Sequence, residues 1–230
     1  MESLTFIIPA YNDETTIETL IDKTADVGKK LRIPFTIQVI DDASSDATGY
    51  ILRKLTRRMP NLHVITHPKN AGYGQTIKEL YQKASHTWLF SIPGDYQIEP
   101  GELVHLWPRR READMIIGWR RVRRDIPSRL RQSHIYNTLL HVLFHLDMHD
   151  VNSVRLMKTA LMNSVHLTTS SAFVDAELAI SAKRLGFRIM EIPIAHRART
   201  SLGAGGGRPA IILPTIRDMI AFRLHHGSDI

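Results

Sequence analysis

Residues 4–14, LTFIIPAYNDE, contain the pattern that decides the fold, a short apolar run followed at once by polar side chains. An apolar run of this length that ends at a turn signal is typical of a buried strand. The pattern recurs at residues 36–46, TIQVIDDASSD, and at residues 88–97, WLFSIPGDYQ. Because parallel strands end at the same edge of a sheet, we expect the three polar clusters to converge on one crevice. The alternative is that their Asp and Ser residues only cap helices.

Helical patterns separate these strands. In residues 15–31, for example, Ile17, Leu20, Ile21 and Val27 fall near one helical face. Strands that alternate with helices predict an α/β fold, a doubly wound and mostly parallel sheet flanked by helices, in one domain over residues 1–230. The predicted strands are 4–8, 36–40, 63–66, 88–92, 115–118 and 189–194, and the predicted helices are 15–31, 47–58, 75–85, 100–110, 128–146, 170–185 and the part of 210–224 after Pro214.

The composition excludes several classes of protein. None of the 230 residues is a cysteine, which excludes a disulfide framework, a thiolate zinc site and a cysteine nucleophile. The first residues, MESLTFIIPAYN, do not have the pattern of a signal peptide. The apolar tracts 139–146 and 210–222 are interrupted by His or by charged residues and are shorter than the roughly 20 residues of a spanning helix. We therefore expect a cytoplasmic protein that at most lies on a membrane surface.

The positive charge of the chain is concentrated in one segment. Residues 109–131 contain nine Arg and three acids, whereas the whole chain has 30 basic and 23 acidic residues. Such a segment indicates an anionic partner, and Arg suits phosphate because its planar donors can bind two oxygens. A solvated basic face, a contact with anionic lipid and a nucleic-acid site are the alternatives. We expect no nucleic acid, because the chain has no helix-turn-helix, RRM or zinc-finger signature.

Four motifs, IIPAYNDE (7–14), VIDDASSDAT (39–48), NAGYGQTI (70–77) and Asp95-x-Gln97, occur in the order and spacing of a known family. Over about residues 3–200 the chain resembles the family 2 inverting glycosyltransferases with a GT-A fold. It is most similar to the branch of dolichyl-phosphate mannose synthase and the polyprenyl-phosphate glycosyltransferases. The resemblance implies a nucleotide-sugar-binding half over residues 1–118, an acceptor-binding half over residues 119–208 and a helical tail over residues 209–230.

The resemblance also implies roles for the residues of these motifs. Pro9, Tyr11 and Asp13 would border the nucleotide, with Tyr11 stacking near the base. Asp41 would accept a hydrogen bond from the base, and Asp42 would support the turn. Gly72 and Gly74 would let the backbone approach a GDP- or UDP-linked sugar.

Asp95 matches the last acid of the family's metal-binding Asp-x-Asp motif, and Gln97 matches the amide that follows it. The resemblance thus implies that Asp95 is catalytic and that Asp95 and Gln97 hold Mg²⁺ or Mn²⁺, cations that prefer oxygen ligands. Pro93 replaces the first Asp of the motif, so metal binding should be weaker or depend more on Asp95, Gln97 and the phosphates. Pro93-Gly94 could also be an ordinary turn, which would leave Asp95 as a helix cap.

The resemblance implies that basic residues bind the phosphate of a lipid acceptor; the candidates are Arg120, Arg124, Arg131 and Arg199, with Arg120 also catalytic. A phosphate monoester is largely ionised at neutral pH and can attack the anomeric carbon without a base. A hydroxyl acceptor would need a carboxylate base, for which Asp150, Asp175 and Glu177 are candidates. Asp175 is our prediction for the catalytic carboxylate.

Some alternatives stay open at this point. A soluble hydroxyl acceptor would leave the donor site unchanged, and the missing Asp at position 93 would also suit a relative that binds nucleotide without turnover. The apolar positions of residues 128–146 could form core, a homodimer face or a peripheral membrane face. The glycine-rich residues 200–208 could be a lid or an ordinary connector.

Overall fold

The computed structural model describes residues 2–122, 127–197 and 209–226, without the side chains of Arg129, Pro209 and Ala210. The strands are β1 (Leu4–Ala10), β2 (Phe35–Asp41), β3 (Leu62–Thr66), β4 (Trp88–Ser91), β5 (Met115–Arg120), β6 (Arg155–Lys158) and β7 (Ile189–Ile194). The helices are α1 (Ile17–Leu31), α2 (Thr48–Thr56), α3 (Tyr73–Lys83), α4 (Leu103–Leu106), α5 (Pro127–Phe144), α6 (Val174–Arg184) and α7 (Pro209–His226).

The strands form one seven-stranded sheet in the order β3-β2-β1-β4-β6-β5-β7. Strand β1 lies between β2 and β4, and both neighbours run parallel to it. Strand β6 pairs antiparallel with β4 and with β5, and β7 pairs parallel with β5. The predicted α/β class is confirmed, and β1, β2, β3, β4 and β5 all end at the same edge of the sheet.

Strand β6 is absent from the strands predicted above. It has only four residues and begins with Arg155, a charged residue that interrupts the apolar pattern of a buried strand. Arg155 is nevertheless fully buried. Arg155 can be buried because folding brings it an ion-pair partner that is distant in sequence. Local periodicity does not show such a partner.

Apolar side chains cover both faces of the sheet. Alternate residues of β1 point to opposite faces, so Phe6 and Ile8 belong to one buried cluster and Ile7 to another. Helix α1 buries Leu20 and Ile21 in the same cluster as Phe6. A third cluster joins α5, α6 and α7 through Phe144, Phe173 and Phe222.

Several predicted helices have different bounds in the structure. The predicted helix over 100–110 is instead a 3₁₀ turn, the short α4 and a second 3₁₀ turn that contains Pro108, which cannot donate a helical hydrogen bond. Helix α7 begins at Pro209 and includes Pro214 in its interior, so it starts earlier than predicted. No helix in the described residues is both long and apolar enough to cross a membrane.

Candidate active site

Hydrogen bonds join the loops that follow β1, β2 and β4 at the carboxyl edge of the sheet. The backbone N–H of Asp42 donates to the carbonyl of Ala10 at 2.9 Å, and the N–H of Gly94 donates to the carbonyl of Pro9 at 3.2 Å. Thr16, at the start of the first helix, donates its hydroxyl to the carbonyl of Gly94 at 2.9 Å. The three polar clusters of the sequence therefore meet around the end of β1, as predicted.

The loop after β1 is held by polar residues of the loop after β2. The N–H of Asn12 donates to Ser44 Oγ at 3.0 Å, and the N–H of Asp13 donates to Thr48 Oγ1 at 2.9 Å. Asp41 is buried and its Oδ1 accepts the N–H of Ser44 at 3.0 Å. Tyr11, which precedes Asn12 in this loop, is half-buried, and its N–H donates to Oδ2 of Asp13 at 3.1 Å. These bonds hold the loop that contains Tyr11 against the loop that begins at Asp41.

Asp42 organises the loop between β3 and α3. Its carboxylate accepts the N–H groups of Ala71 at 2.7 Å and Gly72 at 2.9 Å, so it holds the turn that precedes α3. His67 places one ring nitrogen 2.7 Å from Asp42 and the other 3.2 Å from Glu79. Burial alone would lower the pKa of His67, but the hydrogen bonds to Asp42 and Glu79 outweigh burial and raise that pKa above its ordinary value.

The two glycines of the NAGYG motif have different surroundings. Gly72 has a φ of 83°, which favours glycine, and the space that a side chain would occupy there is open. A side chain at Gly74 would lie 2.2 Å from the carbonyl oxygens of Ser170 and Ser171, so this glycine is needed for close packing of α3 against that loop. Contact of either glycine with a nucleotide sugar stays a prediction.

Three potential metal-binding side chains lie near the end of β4. They belong to Asp95, Gln97 and His196. Gln97 is buried, and its Nε2 lies 3.3 Å from Nε2 of His196, which follows β7. Oδ1 of Asp95 accepts the N–H of Gln97 at 3.2 Å, whereas no described residue donates to Oδ2 of Asp95. Carboxylate, amide and imidazole groups suit Mn²⁺, and Mg²⁺ prefers the oxygens. The donor types therefore fit a divalent cation.

The described residues contain no group of three or more His, Cys, Asp and Glu side chains that could hold a metal ion by themselves. A cation at Asp95 would complete its coordination with phosphate oxygens and water, as Mg²⁺ often does. His196 was not among the metal-binding residues predicted from the sequence, which were Asp95 and Gln97. Its place beside Gln97 depends on the pairing of β7 with β5, which is not visible in local sequence.

Arg120, at the end of β5, forms an ion pair with Asp150. Its Nε and Nη2 donate to the two oxygens of Asp150 at 2.5 and 2.8 Å, and both side chains are largely buried. The next residue, Arg121, is exposed and lines a cavity of about 370 Å³ with His196 and Ile194. Arg121 is therefore better exposed to an anionic ligand at this edge than Arg120 is.

Asp175 lies in a buried polar cluster. Its Oδ1 is 2.9 Å from Nη1 of the fully buried Arg155, and its two oxygens accept the hydroxyls of Tyr73 at 2.6 Å and Tyr81 at 3.0 Å. Burial and the charge of Asp175 raise the pKa of the Tyr73 hydroxyl well above its ordinary value, so the hydroxyl stays protonated and donates. The pKa of Tyr81 is raised as well, chiefly by burial. The acid predicted to be catalytic is thus the counter-ion of a buried guanidinium.

Glu177, the other carboxylate of this helix, is fully buried. Its oxygens accept the N–H groups and the hydroxyls of Thr168 and Thr169, in four hydrogen bonds. Asp175 and Glu177 therefore both face the protein interior, where they have different partners.

The arginine-rich segment is divided by the fold. Strand β5 crosses the sheet, so Arg109, Arg110 and Arg111 lie at the edge opposite to Arg120 and Arg121. Arg110 and Arg111 pair with Glu2, and Arg109 pairs with Glu112. Arg131 is exposed on α5, while Arg124, Arg199 and the glycine-rich residues 200–208 lie outside the described residues. The described arginines of this segment therefore do not form one patch.

The mostly parallel sheet and the polar loops at the carboxyl ends of its strands are the architecture of the GT-A fold. Residues 5–174 match the family model described as glycosyl transferase family 2. The chain belongs to glycosyl transferase family 2.

Two curated relatives have names that specify lipid phosphates. Dodecaprenyl-phosphate galacturonate synthase of Rhizobium johnstonii is 24% identical over 204 residues, which cover 85% of this chain and 59% of the relative. Undecaprenyl-phosphate 4-deoxy-4-formamido-L-arabinose transferase of Yersinia enterocolitica is 26% identical over 204 residues, which cover 86% of this chain and 61% of the relative. The chain thus spans about three fifths of the length of these relatives.

Solved structures share the fold. Glucosyl-3-phosphoglycerate synthase of Mycobacterium tuberculosis, in complex with Mn²⁺, UDP and glucosyl-3-phosphoglycerate, superposes with a TM-score of 0.73 at 19% identity, over 97% of this chain and 79% of that one. TarS of S. aureus has a TM-score of 0.64 at 21% identity, over 99% of this chain and 66% of that one. These likenesses establish the GT-A fold of the chain.

Proposed function

We propose that the protein transfers a sugar from a nucleoside-diphosphate sugar to a polyprenyl phosphate, with inversion at the anomeric carbon. Membership of glycosyl transferase family 2 supports the reaction class. The names of the two relatives, which specify dodecaprenyl and undecaprenyl phosphate, support the class of acceptor. Such an acceptor would bring the protein to a membrane surface, on the cytoplasmic side that the sequence predicts.

The choice of acceptor rests on one observation. All three carboxylates that could act as a base already have hydrogen-bond partners on both oxygens. Both oxygens of Asp150 bind Arg120, both oxygens of Asp175 bind tyrosines beside Arg155, and both oxygens of Glu177 bind threonines. A hydroxyl acceptor needs a base within hydrogen-bond reach, whereas an ionised phosphate does not. The occupied carboxylates therefore favour a phosphate acceptor.

In this proposal the donor lies across the ends of β1 and β2. Pro9, Tyr11, Asp13 and Asp41 border the nucleoside, and Gly72 lets the backbone approach the diphosphate. Asp42 keeps the Gly72 loop in place through the N–H groups of Ala71 and Gly72. UDP is the first nucleotide to test, because the similar glucosyl-3-phosphoglycerate synthase was crystallised with it.

Asp95 would hold a divalent cation, Mg²⁺ or Mn²⁺, with Gln97 and His196 beside it. The cation would supply positive charge where the leaving diphosphate becomes more negative. Oδ2 of Asp95, which accepts no hydrogen bond from a described residue, is the oxygen available for this contact. Arg121 would bind the acceptor phosphate from the opposite side, assisted by Arg131 and by Arg124 and Arg199. Arg120 would act through its ion pair with Asp150.

Incubation of the protein with labelled UDP- and GDP-sugars, Mn²⁺ and either decaprenyl phosphate or soluble glycans tests this function. We expect label in the lipid phosphate with one donor only, and the anomeric configuration of the product would report inversion. Label in a soluble glycan alone would refute the lipid acceptor. Donor binding that raises the melting temperature without any transfer would indicate a non-catalytic relative.

A further inference from the structure

Two helices carry most of the large apolar side chains that are exposed in the described residues. Seven of the twelve large apolar or aromatic side chains that are exposed belong to α5 and α7: Leu130, Ile135, Val142, Leu213, Ile216, Ile220 and Leu224. The other five are spread over the described chain from Tyr50 to Leu185. Single exposed apolar residues need no explanation, but a concentration of this kind marks an interaction surface.

On α7 the exposed residues form one stripe. Leu213, Ile216, Ile220 and Leu224 are three or four residues apart, so they lie on the same helical face. The opposite face is buried, with Met219 and Phe222 only 1% and 3% exposed in the cluster that contains Phe144. Helix α7 therefore has two apolar faces, and only one of them packs against the domain.

Basic residues outnumber acidic residues on these two helices. Helices α5 and α7 together contain four Arg and four His but a single acid, Asp218. Asp218 is only 15% exposed and pairs with Arg217, whose side chain is 81% exposed on the apolar side of α7. An arginine in this position can lay its stem on apolar surface and extend its charge to a polar boundary.

We propose that the outer faces of α5 and α7 lie on an anionic lipid bilayer, with the stripe Leu213, Ile216, Ile220 and Leu224 inserted at the headgroup boundary. An apolar helical face bordered by basic side chains is the pattern of an interfacial helix. A symmetric contact with a second copy would bring the same basic side chains together, which is unfavourable. The proposal does not depend on the proposed reaction.

Sedimentation of the whole chain with vesicles tests the proposal. We expect binding to vesicles of phosphatidylcholine and phosphatidylglycerol, weaker binding to phosphatidylcholine alone, and a loss of binding as salt screens the basic residues. The double variant Ile220→Glu/Leu224→Glu should lower the partition coefficient about tenfold or more, because each change removes the insertion of one large apolar side chain. The matched control is Tyr50→Glu/Leu185→Glu, which places the same charges at exposed apolar positions on other elements and should bind as the wild type does.

Circular dichroism and the melting temperature establish that both double variants are folded. Equal vesicle binding by the stripe variant and the wild type would overturn the proposal, as would a wild-type chain that binds neither vesicle. A dimer in sedimentation equilibrium that the stripe variant dissociates would overturn it in favour of a second copy. Transfer to a short-chain, water-soluble polyprenyl phosphate should be unchanged in the stripe variant, so failure of this proposal and failure of the proposed reaction give different results.

Discussion

Individual carboxylates in this protein have different tasks that depend on their partners. Asp95 and Asp175 were both predicted to be catalytic, but Asp175 is held by Arg155 and two tyrosines, whereas Oδ2 of Asp95 accepts no hydrogen bond from the described chain. A buried acid that balances a buried guanidinium contributes to folding, and an acid with an oxygen available can contact a ligand. The two acids should therefore differ in what their removal changes.

We expect Asp95→Asn to abolish sugar transfer and to remove the stabilisation of the protein by nucleotide with Mn²⁺, while the melting temperature without ligand stays close to the wild-type value. The physical reason is that the amide lacks the charge that binds a divalent cation. Glu112→Gln, the same type of change at an exposed position on the opposite edge, is the control. Transfer at the wild-type rate by Asp95→Asn would contradict the assignment of the cation site.

We expect Asp175→Asn to destabilise the protein by about 3–5 kcal/mol, because Arg155 would keep a buried charge without a carboxylate partner. Tyr73→Phe removes one hydrogen bond to a charged group and should cost about 1.5–3 kcal/mol. Tyr50→Phe, at a residue that is 65% exposed, is the matched control. Urea unfolding measures the free energy of unfolding of all three variants. An Asp175→Asn protein that is stable but inactive would instead indicate that Asp175 is a catalytic base.

The raised pKa of His67 predicts that the free energy of unfolding depends on pH. Its pKa in the folded protein is raised by Asp42 and Glu79, so its stabilising contribution is fully present below its unfolded pKa, about 6.5, and is lost as the pH rises through the folded pKa. The difference in unfolding free energy between the wild type and His67→Gln should therefore shrink on going from about pH 6 to about pH 9. His63→Gln, on the exposed side of β3, controls for loss of a ring. A difference that grows with pH would contradict this prediction.

At the scale of elements, the start of α3 is fixed by contact with a loop that is distant in sequence. A methyl group at Gly74 would lie 2.2 Å from the carbonyl oxygens of Ser170 and Ser171, so Gly74→Ala must displace α3 or that loop. We expect a destabilisation of about 1–3 kcal/mol, the usual cost of overpacking. Gly101→Ala is the control, because no heavy atom lies within 4 Å of the added methyl group. Equal stability of the two variants in thermal unfolding would show that this packing is not tight.

At the scale of the whole molecule, the path of β5 separates arginines that are close in sequence. Arg121 lines the cavity beside His196, whereas Arg111 lies at the opposite edge and is 76% exposed. We expect Arg121→Gln to raise the KM for a phosphate acceptor about tenfold or more through the loss of charged hydrogen bonds, and Arg111→Gln to leave it unchanged. Steady-state kinetics measures both. Equal effects of the two changes would indicate that the segment acts as diffuse positive charge.

The sequence by itself determined six of the seven strands and the polar residues that follow three of them. Apolar runs and the turn residues after them are local, so β1, β2 and the clusters at Tyr11, Asp41 and Asp95 could be predicted from neighbouring residues. The alternation of strands and helices then predicted that these clusters share one edge of the sheet.

Only the tertiary structure decided which of the candidate residues are available to a ligand. The antiparallel β6, the burial of Arg155 against Asp175, the pairing of Arg120 with Asp150 and the position of His196 beside Gln97 all join residues far apart in the chain. A charged side chain has the same local pattern whether it is a buried partner or an exposed ligand-binding group. Its role is decided by the charges and hydrogen-bond partners that folding brings to it, since an unpaired charge is costly in the interior.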